Sequence, residues 1–230
     1  MGSQIKIFSL KELVKKKDFT LIKKIFSLMY ELSKEMILKE IEISKQKFIF
    51  DNLDKIDSIK SFEEKRSILA NYYDEEIFNE VYQKKVFAKQ QDYDFRYKNI
   101  NNCMNDSYFV CYYNNDEMIG LLNYSKINEA YNINKLYTII KGKNIGTQLM
   151  DTLVNHLIKD NDLNTLLSIQ VLTNNEDAKR LYERLGFRLI KDENGRDYIK
   201  NNSYYLMTTL QEYQDKMNER IKRDEIIKSK

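Results

Sequence analysis

The sequence predicts an α/β fold: a mixed, twisted central sheet flanked by helices, with an enlarged helical N-terminal half. Three observations carry this. Up to about residue 104, apolar residues recur mostly at helical spacing. Near residue 105 the texture changes to runs of β-forming residues separated by turn residues. Residues 132–172 then read strand, Gly-turn, helix, strand, the crossover unit that joins parallel strands.

Taken in order, Ile5 to Leu10 is short and loosely alternating, a candidate strand. Asp18 is placed to cap a helix whose apolar face is Ile22, Ile25, Phe26, Met29 and Leu32, continued by Met36, Ile37 and Ile41. Lys47-Phe48-Ile49-Phe50 is a second candidate strand. Ser61 and Glu64 form a capping box ahead of a helical region through Ile68, Leu69, Tyr72, Ile77, Phe78, Val81 and Tyr82, with a break expected near Asp74. Strands follow at 107–113 and 118–126, joined by the turn Asn114-Asn115-Asp116, and at 132–139. The Gly-containing turn 141–146 leads to an amphipathic helix over 147–159. A buried-type strand spans 166–172, and a helix over 176–185 stops at Gly186. Strands at 187–191 and 204–210 flank the turn Asn194-Gly195. The charged tail carries Leu210, Tyr213, Met217 and Ile221 at helical spacing, either a solvated helix or a contact in a homodimer. Three parts result: a mostly helical region 1–104, a core 105–210, and a charged helix or tail 211–230.

Composition narrows the function. With 42 % apolar and 12 % aromatic residues among 230, the chain can bury a core, and no stretch approaches 18 consecutive apolar residues. Basic and acidic residues number 38 and 35, which argues against a nucleic-acid protein and gives no reason to expect a membrane partner. The opening Met1-Gly2-Ser3-Gln4-Ile5-Lys6 has neither a signal-peptide apolar run nor the Ser or Thr of a myristoylation motif. Cys103 and Cys111 fit reduced, cytoplasmic thiols, and a single histidine, His156, leaves little room for a Ser-His-Asp triad or a His-bound metal. Proline is absent where about eleven would be usual. Lys, Asn, Ile and Tyr are abundant instead, as in an A/T-biased genome, so family motifs are expected in substituted form.

Two segments carry chemistry. Lys141-Gly142-Lys143-Asn144-Ile145-Gly146-Thr147 opens a helix directly after a strand. Successive backbone N–H groups in such a turn can surround phosphate oxygens, and the helix dipole adds to the attraction. By itself this pattern equally describes an ordinary strand-to-helix turn with solvated lysines. The second segment runs from Leu172 to Phe187, with Asn175, Ala178, Tyr182, Gly186 and Phe187 at fixed spacing. That spacing resembles the signature of the GNAT superfamily, the Gcn5-related N-acetyltransferases, and the upstream Gly turn resembles the family's pyrophosphate loop in the correct order. The resemblance covers roughly residues 105–210. Against the family pattern, Asn144 replaces a Gly, Lys141 replaces an Arg or Gln, and the stretch from Tyr137 to Lys141 is about two residues shorter than usual.

The resemblance implies an N-acetyltransferase that moves an acetyl group from acetyl-CoA to an amine by direct attack in a ternary complex, without a metal. It implies that Lys141, Gly142, Lys143, Asn144, Ile145, Gly146 and Thr147 hold the CoA pyrophosphate, and that Tyr137 and Thr138 pair with pantetheine beside a splay from strand 166–172. Asn175 would touch the pantetheine or its amide and Lys179 would approach the nucleotide end. Tyr182 would protonate the departing thiolate, a role a phenol can fill; on spacing alone it is a core aromatic. The positions that are acidic in many family members read Asn132-Ile133-Asn134 here, so Glu129 is the nearest carboxylate for a general base; it is otherwise a solvated turn residue, with ordered water as the alternative route. Two questions stay open at the level of sequence: whether 5–10 or 48–50 supplies the first strand, with 5–10 preferred, and whether the module catalyses or only binds acyl-CoA as a sensor or partner.

Overall fold

A computed structural model describes residues 2–56, 60–100 and 107–229. Ser3–Ser9 (β1) pairs antiparallel with Ser107–Asn114 (β2) along its length, from Ser3 opposite Asn114 to Ser9 opposite Tyr108. The first strand is therefore the preferred one, 5–10. The competing segment Lys47–Phe50 is not a strand. It lies inside the helix Phe19–Asn52, where Ile49 is buried and the Phe48 ring sits 5.5 Å from that of Tyr73. Its β propensity is overridden by tertiary packing that buries Ile49 and half-buries Phe48 on one face of the helix, while Phe50 stays exposed.

Contacts divide the chain into two units, Met1–Ile25 with Asn99–Lys230, and Phe26–Lys98. The second unit is helical. It contains most of Phe19–Asn52 (α2, with Leu10–Lys15 as α1), then Phe62–Tyr72 (α3) and Asn79–Lys98 (α4). Ser61 and Glu64 close the expected capping box at the start of α3. No break occurs near Asp74: a π-helical stretch, Tyr73–Phe78, joins α3 to α4. The wider turn puts Tyr73 into a core with Ile37 and Ile41 while Asp74 meets Lys45 at 2.5 Å. At the start of α2, the Leu21 N–H donates to Asp18 Oδ1 at 3.1 Å, the cap read from sequence.

The first unit holds an open, mostly antiparallel sheet of eight strands. The remaining strands are Glu117–Ile127 (β3), Ala130–Thr138 (β4), Leu166–Leu172 (β5), Arg188–Leu189 (β6), Ile199–Lys200 (β7) and Ser203–Thr209 (β8). The spatial order is β1-β2-β3-β4-β5-β8-β6, with β7 also on β8. Among the described strands, only β4 and β5 run parallel, as the crossover requires. Asn115 and Asp116 take positive φ in the β2–β3 turn, as Asn and Asp tolerate.

The crossover helix Ile145–Leu157 (α5) buries Ile145, Leu149, Met150, Leu153, Val154 and Leu157 against one face of the sheet. Gly120 of β3 makes room for it: a Cβ there would lie 2.8 Å from Ile145 Cγ2. Glu176–Arg184 (α6) ends at Gly186, φ 100°, with Phe187 N–H bonded to the Tyr182 carbonyl and Gly186 N–H to that of Glu183. The last helix, Leu210–Lys228 (α7), starts in a second capping box, Thr209 with Glu212. Leu210, Tyr213 and Met217 enter the same core, while Ile221 is exposed. The C-terminal stripe is thus spent largely inside the chain, held by Tyr213 donating to Asp151 Oδ1 at 2.8 Å and by Arg220 Nη2 on the same oxygen at 2.6 Å. No helix among the described residues is long and apolar enough to cross a membrane.

Candidate active site

The site is built where β4 leaves β5. Their pairing runs Tyr131 with Leu167, Asn132 with Ser168, and Ile133 with Ile169, and then stops, although β4 continues to Thr138 and β5 to Leu172. The cause lies in β4. Between Ile133 opposite Tyr124 and Lys135 opposite Asn123, Asn134 is an extra residue, a β-bulge that turns the rest of the strand toward β3. The sequence carries a signal for it: polar Asn134 and Lys135 stand side by side between apolar Ile133 and Leu136, breaking the alternation by one. Beyond the bulge, Tyr137 and Thr138 pair with Leu121 and Gly120 and are half-buried.

The loop after β4 leads into α5. Gly142 takes φ 76° and Asn144, the residue before the helix, takes φ 58°. Asn is among the few side chains that accept this region, so the turn survives the loss of a Gly. Lys141, Gly142, Lys143 and Asn144 are exposed, Ile145 is buried, and Gly146 and Thr147 are half-buried. Among the described residues, no acceptor takes the backbone N–H groups from Ile140 to Thr147; the first α5 bond is Gln148 N–H to the Asn144 carbonyl, 3.1 Å. These unused donors, the positive end of α5 and two lysine side chains suit an anion.

The second motif reaches the same place. A Cβ at Gly146 would lie 3.5 Å from Leu136 of β4 and 3.6 Å from Leu181 of α6, so loop, strand end and helix meet there. Asn175 precedes α6 with its side chain free of any capping bond. The Lys179 ammonium stands 4.6 Å above the Tyr204 ring. Tyr182 is 4 % exposed, its ring edge-on to Phe187 at 5.6 Å. Burial alone pushes its phenol above the usual tyrosine range, so it stays protonated and able to donate.

Glu129 is not brought to this cluster. It is exposed in the β3–β4 turn, at the far end of β4 from the loop. It stands four residues before Ile133, where β4 leaves β5, about 13 Å away at ~3.3 Å per residue. Cys111 is fully buried, and burial pushes its thiol up to about 12, in keeping with a core role. His156 is exposed, and Cys103 lies outside the described residues.

A family model described as the acetyltransferase (GNAT) family matches residues 70–187, just over half of the chain. No curated protein matches it in sequence. Among solved structures, PaiA N-acetyltransferase from Thermoplasma acidophilum, in complex with coenzyme A, is 15 % identical with a TM-score of 0.47, over 91 % of this chain and 99 % of that one. A GNAT family acetyltransferase from Elizabethkingia anophelis with acetyl-CoA bound is 18 % identical with a TM-score of 0.38, over 49 % of this chain and 82 % of that one. Arabidopsis thaliana Naa50, in complex with a bisubstrate analogue, is 24 % identical with a TM-score of 0.36, over 44 % of this chain and 72 % of that one.

Proposed function

The chain belongs to the acetyltransferase (GNAT) family, and from that premise we propose that it transfers an acetyl group from acetyl-CoA to a primary amine by direct attack in a ternary complex. The observation that carries this reading is the convergence of unused loop N–H groups, the end of β4 beyond its register with β5 and the buried Tyr182 around one splay. The N–H groups from Gly142 to Thr147 bind the pyrophosphate, with Lys141 and Lys143 adding charge. The backbone of β4 past Ile133, where its register with β5 has ended, binds the pantetheine arm alongside Tyr137 and Thr138, with Asn175 at its amide and Lys179 toward the nucleotide end.

The thioester then lies in the gap between β4 and β5. The amine lone pair forms the new N–C bond as the C–S bond breaks. Tyr182 gives its proton to the departing thiolate and regains one from the amine nitrogen through solvent, so no net proton is needed when the amine arrives neutral. Most of the rate comes from holding the two reactants in contact.

The test is ligand-induced stabilisation. Acetyl-CoA raises the melting temperature of the wild-type chain in a concentration-dependent way. Gly146→Glu, which puts bulk and negative charge among the loop donors, abolishes that rise. An unchanged rise in the variant removes the loop from the site.

A further inference from the structure

Packing alone aims the hydroxyl of Tyr182. Among the described residues no side chain or backbone group bonds to it, and burial alone acts on its phenol. The ring is edge-on to that of Phe187 at 5.6 Å. Phe187 also closes the end of α6, where its N–H donates to the Tyr182 carbonyl at 3.0 Å. One residue therefore braces both the backbone and the ring of Tyr182. Apolar contact is non-directional, so this brace is only as firm as whatever fixes Phe187.

Phe187 is fixed by α7. Its ring meets that of Tyr213 edge-on at 6.2 Å, and both are buried. α7 also seats the residues on either side. A Cβ at Gly186 would lie 3.1 Å from Lys216 Cγ and 3.4 Å from the Glu212 carbonyl oxygen, and Arg188 Nη2 pairs with Glu212 Oε1 at 2.8 Å. The seat is pinned at one polar point. The Tyr213 hydroxyl donates to Asp151 Oδ1 of α5 at 2.8 Å, and Arg220 Nη2 donates to the same oxygen at 2.6 Å. Arg220 also lies 5.6 Å from the Tyr213 ring centroid. Unlike apolar contact, a hydrogen bond has a preferred distance and angle, so it sets where along its own axis the Tyr213 ring stands. Contacts thus run without a gap from Asp151 through Tyr213 and Phe187 to Tyr182. Asp151 belongs to the helix whose entry is the loop proposed for the CoA pyrophosphate. The chain of contacts therefore refers the acid and the CoA to one helix, and a misplacement of about 1 Å between reacting groups can cost ~100-fold in rate.

We propose, resting on the acetyl-transfer reading above, that Tyr213 is a positioning residue for Tyr182: it holds the Tyr182 ring through Phe187, and its hydrogen bond to Asp151 ties that ring to α5. Tyr213 takes no part in the proton transfer itself.

The experiment binds free CoA to the full chain, so that its sulfur stands in for the departing thiolate and no acceptor is needed. CoA isotopically labelled at the carbon that bears the sulfur reports the pKa of the bound thiol by its chemical shift. A phenol donor aimed at the sulfur favours the thiolate, so the bound thiol is more acidic than CoA in water, by about one pKa unit. Tyr182→Phe removes that lowering. Tyr213→Phe keeps the ring contacts and removes at least half of it, while the melting shift produced by CoA stays at the wild-type value. Asp151→Asn leaves an acceptor for the Tyr213 hydroxyl and keeps more than half. Added to Tyr182→Phe, Tyr213→Phe changes the thiol no further, because it acts through Tyr182. If Tyr213→Phe does not fold, Phe187→Leu carries the same test with the same loss expected. More than half of the lowering retained in Tyr213→Phe, a smaller CoA melting shift in it, half or more lost in Asp151→Asn, or a further change in the double variant overturns the proposal. A wild-type thiol no more acidic than free CoA, or one that Tyr182→Phe leaves unmoved, overturns the acid role of Tyr182 and the proposal with it. Absence of any melting shift with CoA overturns the acetyl-transfer reading instead.

Discussion

At Tyr182 the chemistry hangs on one hydroxyl. Its ring packs edge-on to Phe187 whether or not the oxygen is present, so Tyr182→Phe deletes the donor and keeps the packing. General-acid assistance contributes ~10²–10⁴-fold, and a thiolate needs less help than an alkoxide. Tyr182→Phe is therefore expected to lower kcat by about 10- to 100-fold with KM for acetyl-CoA little changed, the pattern of an interaction made in the transition state. Steady-state kinetics with an identified acceptor checks it; a raised KM with unchanged kcat would make the hydroxyl a ground-state contact. Asp151 is the second telling residue. Burial raises its carboxyl above the usual range, against the lowering by Tyr213 and Arg220. A raised folded-state pKa means the native state holds the extra proton, so this group costs stability as pH rises past its unfolded value near 4. Arg220→Met removes the cation and leaves the carboxylate with Tyr213 alone. The expected loss at pH 7 is about 1–3 kcal/mol, below that of a fully buried pair because both side chains keep about a quarter of their exposure. It should shrink as the pH is lowered toward 4 and Asp151 protonates. Urea melts across that range check the trend, and a constant deficit would contradict it.

Elements gain their positions from one or two special residues each. The entry to α5 turns at Asn144, φ 58°. Asn144→Gly keeps that conformation open, whereas Asn144→Val strains it by about 1–2 kcal/mol. The Val variant is expected to lower the melting temperature and to weaken the acetyl-CoA shift, the Gly variant to do neither; equal behaviour of the two would show that the loop tolerates another conformation. In α2, Met29 is 5 % exposed, and its carbonyl accepts from both Ser33 and Tyr93. Met29→Asp buries an unpaired charge beside that network, with an expected loss of a few kcal/mol in chemical denaturation. A variant as stable as wild type would mean that this stretch of α2 opens without cost.

For the whole molecule, ligand binding is the most direct readout. Saturating acetyl-CoA at about 100 times its Kd adds ~2.7 kcal/mol. For a chain of this size that corresponds to a rise of about 5–10 °C in melting temperature. Calorimetry over a concentration series checks it, and a shift that does not grow with concentration would not be mass-action binding.

The sequence by itself determined what is local. The Asp18 and Ser61 caps, the Asn115-Asp116 turn, the Gly186 stop and the β4–loop–α5–β5 order depend on backbone conformations that single residues prefer, so they are legible wherever those residues stand. The two motifs could be read for the same reason, since their spacing follows one loop and one helix. The tertiary structure decided what depends on a partner. Phe48 and Ile49 are helical because of what covers them, and Tyr73 lies in a π-turn because Ile37 and Ile41 are there to receive it. The C-terminal stripe was apolar on paper, but only packing showed that Leu210, Tyr213 and Met217 are covered by the chain's own core while Ile221 stays exposed. Glu129 is nearest among carboxylates in sequence, and the fold puts it in the exposed β3–β4 turn, four residues before the point where β4 leaves β5. A ladder of side-chain hydrogen bonds through Ser125, Asn132, Asn134 and Ser168 joins three strands across a bulge whose effect is nonlocal. Periodicity reports which face of an element is apolar or polar; register and cover, which turn that face into a core or a site, are set by residues far away in the chain.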